Sequence, residues 1–77
     1  MKLIVLSLPR DASEENVAEI FQNFGKVKSC KLVLNDDKSS KGFAFVDMEN
    51  EDEAQKAIQE LHGSRLGKQK IRVKPAE

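Results

Sequence analysis

The segment KGFAFVDM, residues 41–48, places two aromatic rings close to charged side chains. Phe43 and Phe45 stand two positions apart between Lys41 and Asp47. Side chains two residues apart on a strand point to the same face. If these rings faced water beside cations, nucleic-acid bases could stack on them while lysine and arginine neutralised phosphates. The first question is therefore which face of the strand is buried.

Alternation along this segment predicts that both rings face solvent. Lys41 and Asp47 share the face of the two phenylalanines, whereas the opposite face holds only small and apolar residues. Those residues are Gly42, Ala44, Val46 and Met48. Burying the rings would bury two unpaired charges with them, which is costly, whereas burying valine and methionine is favourable.

Three further segments have the composition of strands, and the same rule divides their side chains between two faces. They are KLIVLS (2–7), KVKSCKLVL (26–34) and QKIRVK (69–74). The predicted inward residues are Cys30, Leu32, Ile71 and Val73. The predicted solvent face, called the open face below, carries both phenylalanines with the cations Lys2, Lys31, Lys41, Lys70, Arg72 and Lys74 and the apolar residues Ile4, Leu6 and Val33.

Two segments with helical apolar spacing would have to cover the other side of these strands. They are residues 13–24, with Ser13 as N-cap, and residues 50–61, with Asn50 as N-cap. Seven of the 13 acidic residues and one of the 13 basic residues lie in these helices. The rest of the chain therefore has six acids and twelve bases, so the net charge of zero hides a basic remainder.

The resulting order is β-α-β-β-α-β, which predicts an α+β fold of the ferredoxin-like type. In that arrangement two helices pack on one face of a four-stranded antiparallel sheet. We expect residues 1–77 to form a single domain, since the chain has no repeat, linker or low-complexity tract. No apolar run is long enough to span a bilayer, and we expect no membrane partner.

Several chemistries are disfavoured by the residues present. The single cysteine, Cys30, has no second thiol for a disulfide or a metal site. With His62 it makes no credible pair of nucleophile and base. The segment 63–69, GSRLGKQ, has the wrong spacing for a phosphate-binding loop. We expect neither enzymatic activity nor a cofactor or metal, and we expect a reducing, cytoplasmic location.

The segment KGFAFVDM resembles the octamer motif of the RNA recognition motif family. Seven of its eight positions fit the motif, and Met48 occupies the eighth. LIVLSL, residues 3–8, resembles the hexamer motif of the same family. EENVAEIFQNFGKV and AIQELHGSRLGKQKIRV are similar to the family in spacing, so the resemblance covers nearly the whole chain. The chain also resembles the small single-domain bacterial members, although excision from a larger protein is equally compatible with these residues.

This resemblance implies roles for individual residues. Phe43 and Phe45 correspond to the two octamer rings, which stack on a base or insert between sugars, and Lys41 corresponds to a phosphate contact. Ile4 stands where the family usually has a third ring, and Leu6 replaces a usual glycine. The predicted RNA-binding residues are Phe43, Phe45, Lys41, Ile4, Lys2, Lys31, Lys70, Arg72 and Lys74.

We therefore expect a monomer that binds short single-stranded RNA across the open face, with single-stranded DNA as a second ligand to be tested. The alternative is a protein-interaction module that uses the apolar part of this face. That part consists of Ile4, Leu6, Val33, Phe43 and Phe45. Salt distinguishes the two, because RNA binding weakens with ionic strength and an apolar contact hardly responds.

Overall fold

The computed structural model describes residues 1–9, 11–34, 40–66 and 69–76, apart from the side chains of residues 34, 40 and 41. The helices are α1 (Glu14–Gln22) and α2 (Glu51–Leu61). The strands are β1 (Lys2–Leu6), β2 (Val27–Leu34), β3 (Ser40–Met48), β4 (Arg65–Leu66), β5 (Gln69–Lys70) and β6 (Arg72–Pro75). The predicted α+β class and ferredoxin-like arrangement are confirmed.

Within the described residues, four strands form an antiparallel sheet in the order β2-β3-β1-β6. The two central strands, β3 and β1, carry the segments that resemble the two family motifs. On β1, Leu3 and Val5 are buried, whereas their neighbours on the other face are exposed or half-buried. On β3 the buried residues are Ala44, Val46 and Met48. The alternation predicted from the sequence is therefore confirmed on both strands.

Both helices pack on the inward face of the sheet. Val17 and Phe21 on α1, and Ala54, Ala57 and Leu61 on α2, join the inward residues of the strands in one apolar cluster. No helix of the described residues packs on the opposite face, which is the open face. No helix in the described ranges is long and apolar enough to cross a membrane.

Side-chain caps explain where the helices begin. The Ser13 hydroxyl accepts a hydrogen bond from the Asn16 backbone N–H at 3.1 Å. The Asn50 side chain accepts from the backbone N–H groups of Asp52, at 2.9 Å, and Glu53, at 3.2 Å. Each cap satisfies donors that the first helical turn leaves without partners. Both predicted N-caps are confirmed.

The predicted fourth strand, residues 69–74, is not continuous. Ile71 donates its backbone N–H to the Ser64 carbonyl at 2.8 Å and accepts from the Gly63 N–H at 2.8 Å. Because these bonds occupy its backbone, Ile71 interrupts the strand. Residues 69–70 form β5, which pairs with β4, whereas residues 72–75 form β6, which pairs with β1. Lys70 therefore lies on this short hairpin and not, as predicted, on the fourth strand of the sheet.

Candidate nucleic-acid interface

Strand register aligns the open-face side chains in rows that run across the sheet. In the central row, Phe45 lies between Lys31 on β2 and Ile4 on β1, and Lys74 on β6 lies opposite Ile4. Neighbouring strands are about 4.8 Å apart, so the row spans about 14 Å. An apolar centre is thus bounded at both ends by an exposed lysine.

A second and a third row flank the central row, each about 7 Å away along the strands. The arginine row consists of Phe43, Leu6 and Arg72. The aspartate row consists of Ser29, Asp47 and Lys2. The arginine row pairs apolar side chains with one guanidinium, whereas the aspartate row is wholly polar. The open face is therefore mainly apolar at the arginine row and polar at the aspartate row.

The two phenylalanine rings are not equivalent. Phe45 is 40% exposed, whereas Phe43 is half-buried. Their ring centroids are 6.0 Å apart and their planes are perpendicular, the T-shaped arrangement that aromatic pairs favour. Parallel bases cannot stack face to face on both rings at once. Phe45 is the more accessible platform, and Phe43 lies against it.

The aliphatic residues of the open face are all half-buried. Ile4 and Leu6 are half-buried between the rings and the cations of β6. Val33 is also half-buried, and the register of β2 against β3 shifts between Leu32 and Leu34. Val33 thus lies at an irregularity of the sheet and not within a row.

A groove of about 320 Å³ lies where the aspartate row meets the central row. It is lined by Lys2, Ser29, Lys31, Phe45, Val46, Asp47 and Ala76. Ala76 is held there because its backbone N–H donates to the Lys2 carbonyl at 2.9 Å. The Asp47 carboxylate lies 3.6 Å from the amino group of Met1, which orients it. The groove combines an aromatic ring, a carboxylate and two lysines.

The cations predicted to bind RNA fall into three groups in the structure. Those that lie exposed on the open face are Lys2, Lys31, Arg72 and Lys74. Lys70 is exposed but belongs to the β4-β5 hairpin. Lys41 lies on β3, and its side chain is outside the described part of the structure.

Sequence reasoning missed Ser29 and Ala76, and it noted Asp47 only as a neighbour of the rings. Asp47 could have been found, because it follows Phe45 by two positions and must share its face. Ser29 and Ala76 could not, since their proximity to Asp47 depends on strand register and on a backbone bond beyond β6.

Cys30 and His62 have structural partners. The Cys30 thiol is half-buried and lies 3.7 Å from the Glu14 carbonyl oxygen. Burial raises the pKa of this thiol, and the charge of Glu14 raises it further. His62 Nδ1 accepts the Val73 backbone N–H at 3.1 Å. Among the described residues, no three histidine, cysteine, aspartate or glutamate side chains are grouped to hold a metal ion.

Comparison with known proteins shows similarity in both sequence and fold. The RNA recognition motif profile matches residues 3–72. Multiple RNA-binding domain-containing protein 1 of Candida glabrata is 40% identical over 76 residues, which are 99% of this chain and 9% of that protein. The crystal structure of RNA binding protein PG1 superimposes with a TM-score of 0.95 at 34% identity, covering 99% of this chain and 93% of the other. The Sxl-lethal protein in a protein/RNA complex has a TM-score of 0.94 at 30% identity, covering 99% and 46%.

The expected similarity to small single-domain bacterial proteins is not borne out. The curated relatives from Candida glabrata and Saccharomyces cerevisiae are yeast proteins, and the chain spans 9% of their length. The residues of this chain specify its own fold and open face. They therefore do not indicate whether a relative that carries the same motif is a short or a long protein.

Proposed function

This chain belongs to the RNA recognition motif family, and we propose that this RNA-binding module takes short single-stranded RNA across its open face. The observation that carries the proposal is the central row, in which exposed Phe45 lies between Lys31 and Lys74. A stacking ring with a cation on either side matches an extended RNA strand, in which bases and phosphates alternate.

In this proposal a base stacks on the face of Phe45, which is the exposed ring. The half-buried Phe43 presents a perpendicular plane and contacts a sugar or the edge of a second base. Lys31 and Lys74 neutralise phosphates at the two sides of the sheet, and Arg72 does so in the arginine row. Lys2 adds positive charge in the aspartate row.

Ile4 and Leu6 limit the affinity. Each stacked base contributes about 1 to 3 kcal/mol, so an isoleucine in place of a third ring removes a contribution of that size. Ile4 then supplies apolar contact only. We expect RNA to bind more weakly than it would to a module with three rings. We also expect weak sequence preference wherever no side chain forms hydrogen bonds with the edge of a base.

We also infer that the module binds RNA without altering it chemically. Cys30 has a raised thiol pKa and His62 holds a backbone N–H, so neither is poised as a nucleophile or base. We further propose that it acts as a monomer in a reducing, cytoplasmic setting and binds single-stranded DNA more weakly than RNA. Sedimentation and a parallel titration with DNA of the same sequence test the oligomeric state and the choice of nucleic acid.

The protein-interaction alternative is not favoured. Ile4, Leu6 and Phe43 are half-buried, and Val33 lies at a register shift. Exposed cations bound the apolar centre on both outer strands. A protein partner that buried this centre would also have to desolvate or pair those charges.

The test is the double variant Phe43→Ala/Phe45→Ala, titrated with fluorescently labelled short RNA and followed by anisotropy. We expect a loss of more than about tenfold in affinity, with the fold retained by circular dichroism. Lys56→Ala, an exposed change on α2 away from the sheet, is the control and should bind as the parent does. Unchanged binding by the double variant would overturn the proposal.

A further inference from the structure

The groove beside Phe45 contains a carboxylate, that of Asp47, which has no part in phosphate binding or in stacking. At about 320 Å³ it lies at the small end of the range of about 300 to 1,000 Å³ found for ligand pockets. Its walls hold an aspartate, which only accepts hydrogen bonds when ionised, and two lysines, which only donate. A ligand that fits must therefore offer donors to one wall and acceptors to the other.

Strand register fixes where these groups lie relative to the stacking ring. Asp47 follows Phe45 on the same face of β3, about 7 Å farther along the strand. Lys2 and Ser29 lie directly opposite Asp47, and Lys31 lies opposite Phe45. A base stacked on Phe45 with its edge turned along β3 would thus point that edge at the Asp47 carboxylate.

The Asp47 carboxylate is partly accessible and has a single ion-pair partner among the described residues. Its side chain is 24% exposed, and the amino group of Met1 lies 3.6 Å from one oxygen. That amino group also donates to the Met48 carbonyl at 2.7 Å, so it is anchored to the strand. Within the described part of the chain the second carboxylate oxygen has no ion-pair partner, and it can accept a hydrogen bond from a ligand.

Among the four RNA bases, guanine matches this arrangement. Its Watson–Crick edge presents two adjacent donors, N1–H and the N2 amino group, which the two oxygens of a carboxylate accept together. Adenine and cytosine offer one amino donor beside a ring-nitrogen acceptor, and uracil has a single N–H between two carbonyls. Each of these three turns at least one acceptor toward the carboxylate. The O6 and N7 acceptors of guanine suit lysine.

We propose that the groove lined by Asp47, Lys2 and Ser29 is a guanine-selective subsite for the nucleotide that stacks on Phe45. This proposal rests on the proposed function, since it takes RNA binding across the open face as given. Lys2 and Lys31 offset the repulsion between the carboxylate and the RNA phosphates. Asp47 contacts the base edge, and Phe45 holds the plane of the base.

The test compares short uridine-rich RNAs that differ at their central base. UUGUU, UUAUU and UUUUU are titrated by anisotropy, together with UUIUU, in which inosine lacks the N2 amino group. We expect UUGUU to bind about 5- to 160-fold more tightly than UUUUU, the range for one bidentate contact. Inosine should bind between guanine and uridine, because it retains N1–H alone.

Two variants assign the effect to Asp47. In Asp47→Asn an amide donor replaces one carboxylate oxygen, so the preference for guanine should fall to within about twofold while UUUUU binds at least as well as before. Asp52→Asn removes an equal charge from the exposed start of α2 and should keep the full preference. A preference unchanged in Asp47→Asn would overturn the proposal.

A measurement on the parent protein covers the case in which Asp47→Asn fails to fold. Titration with UUGUU should shift the backbone amides of Ser29, Asp47 and Ala76 in an NMR spectrum more than titration with UUUUU. Equal shifts and equal affinities for all four RNAs would overturn the guanine subsite and leave the proposed function standing. Absence of binding to any of the four would instead overturn the proposed function.

Discussion

Replacing Phe45 with alanine should weaken RNA binding more than the same change at Phe43. Phe45 is 40% exposed and lies in the middle of the central row, whereas Phe43 is half-buried with its plane perpendicular. Loss of one stacked base corresponds to about 1 to 3 kcal/mol, or about 5- to 160-fold in Kd. Phe43 offers a sugar or base-edge contact instead of an open ring face, so we expect Phe43→Ala to cost less than a stacked base does, under about 5-fold in Kd.

The assay is anisotropy with the short RNA that binds the parent best, at one fixed salt concentration. Phe45→Leu is the matched control, because leucine keeps most of the apolar area and lacks a π face. If stacking dominates, Phe45→Leu should resemble Phe45→Ala; if apolar burial dominates, it should resemble the parent. Equal losses at the two positions, or a larger loss at Phe43, would refute the assignment of Phe45 as the main platform.

Three further predictions follow from the same structure. Ile4→Phe should strengthen RNA binding by about 5-fold or more in the same assay, since it restores a ring beside Phe45; unchanged or weaker binding would contradict this prediction. The double variant Lys31→Gln/Lys74→Gln should reduce the slope of log K against log salt by about 0.7 for each phosphate that is no longer neutralised, and an unaltered slope would mean that these lysines meet no phosphate. Gly25→Ala should lower the free energy of unfolding by about 1 to 3 kcal/mol in a urea titration, because an added Cβ would collide with the Glu53 side chain. A decrease below about 0.5 kcal/mol would show that Glu53 moves aside freely.

The faces of the strands were predictable because period-two alternation leaves few choices when a strand mixes charges with apolar residues. On β3 a single burial rule decides the orientation of Ala44, Val46, Phe43 and Phe45 together. The helices were predictable for a similar reason. In each helix the apolar spacing and the capping side chain indicate the same first residue. These features depend on neighbours in the sequence, which the sequence displays directly.

The features that escaped prediction depend on partners distant in the chain or on side-chain geometry. The interruption at Ile71 arises because its backbone bonds to Gly63 and Ser64 instead of to β1. The groove at Asp47 needs the register of three strands at once, and the perpendicular planes of the two rings are a packing outcome that alternation does not specify.

The alternation on β3 has a consequence for how such a module can evolve. Ala44, Val46 and Met48 belong to the core, while Phe43, Phe45 and Asp47 on the same strand face the ligand side. Because consecutive side chains point to opposite faces, substitutions at the outward set leave the side-chain packing of the core set largely unchanged. Point substitutions at outward positions can therefore change the ligand preference of the chain while the core that stabilises its fold stays the same.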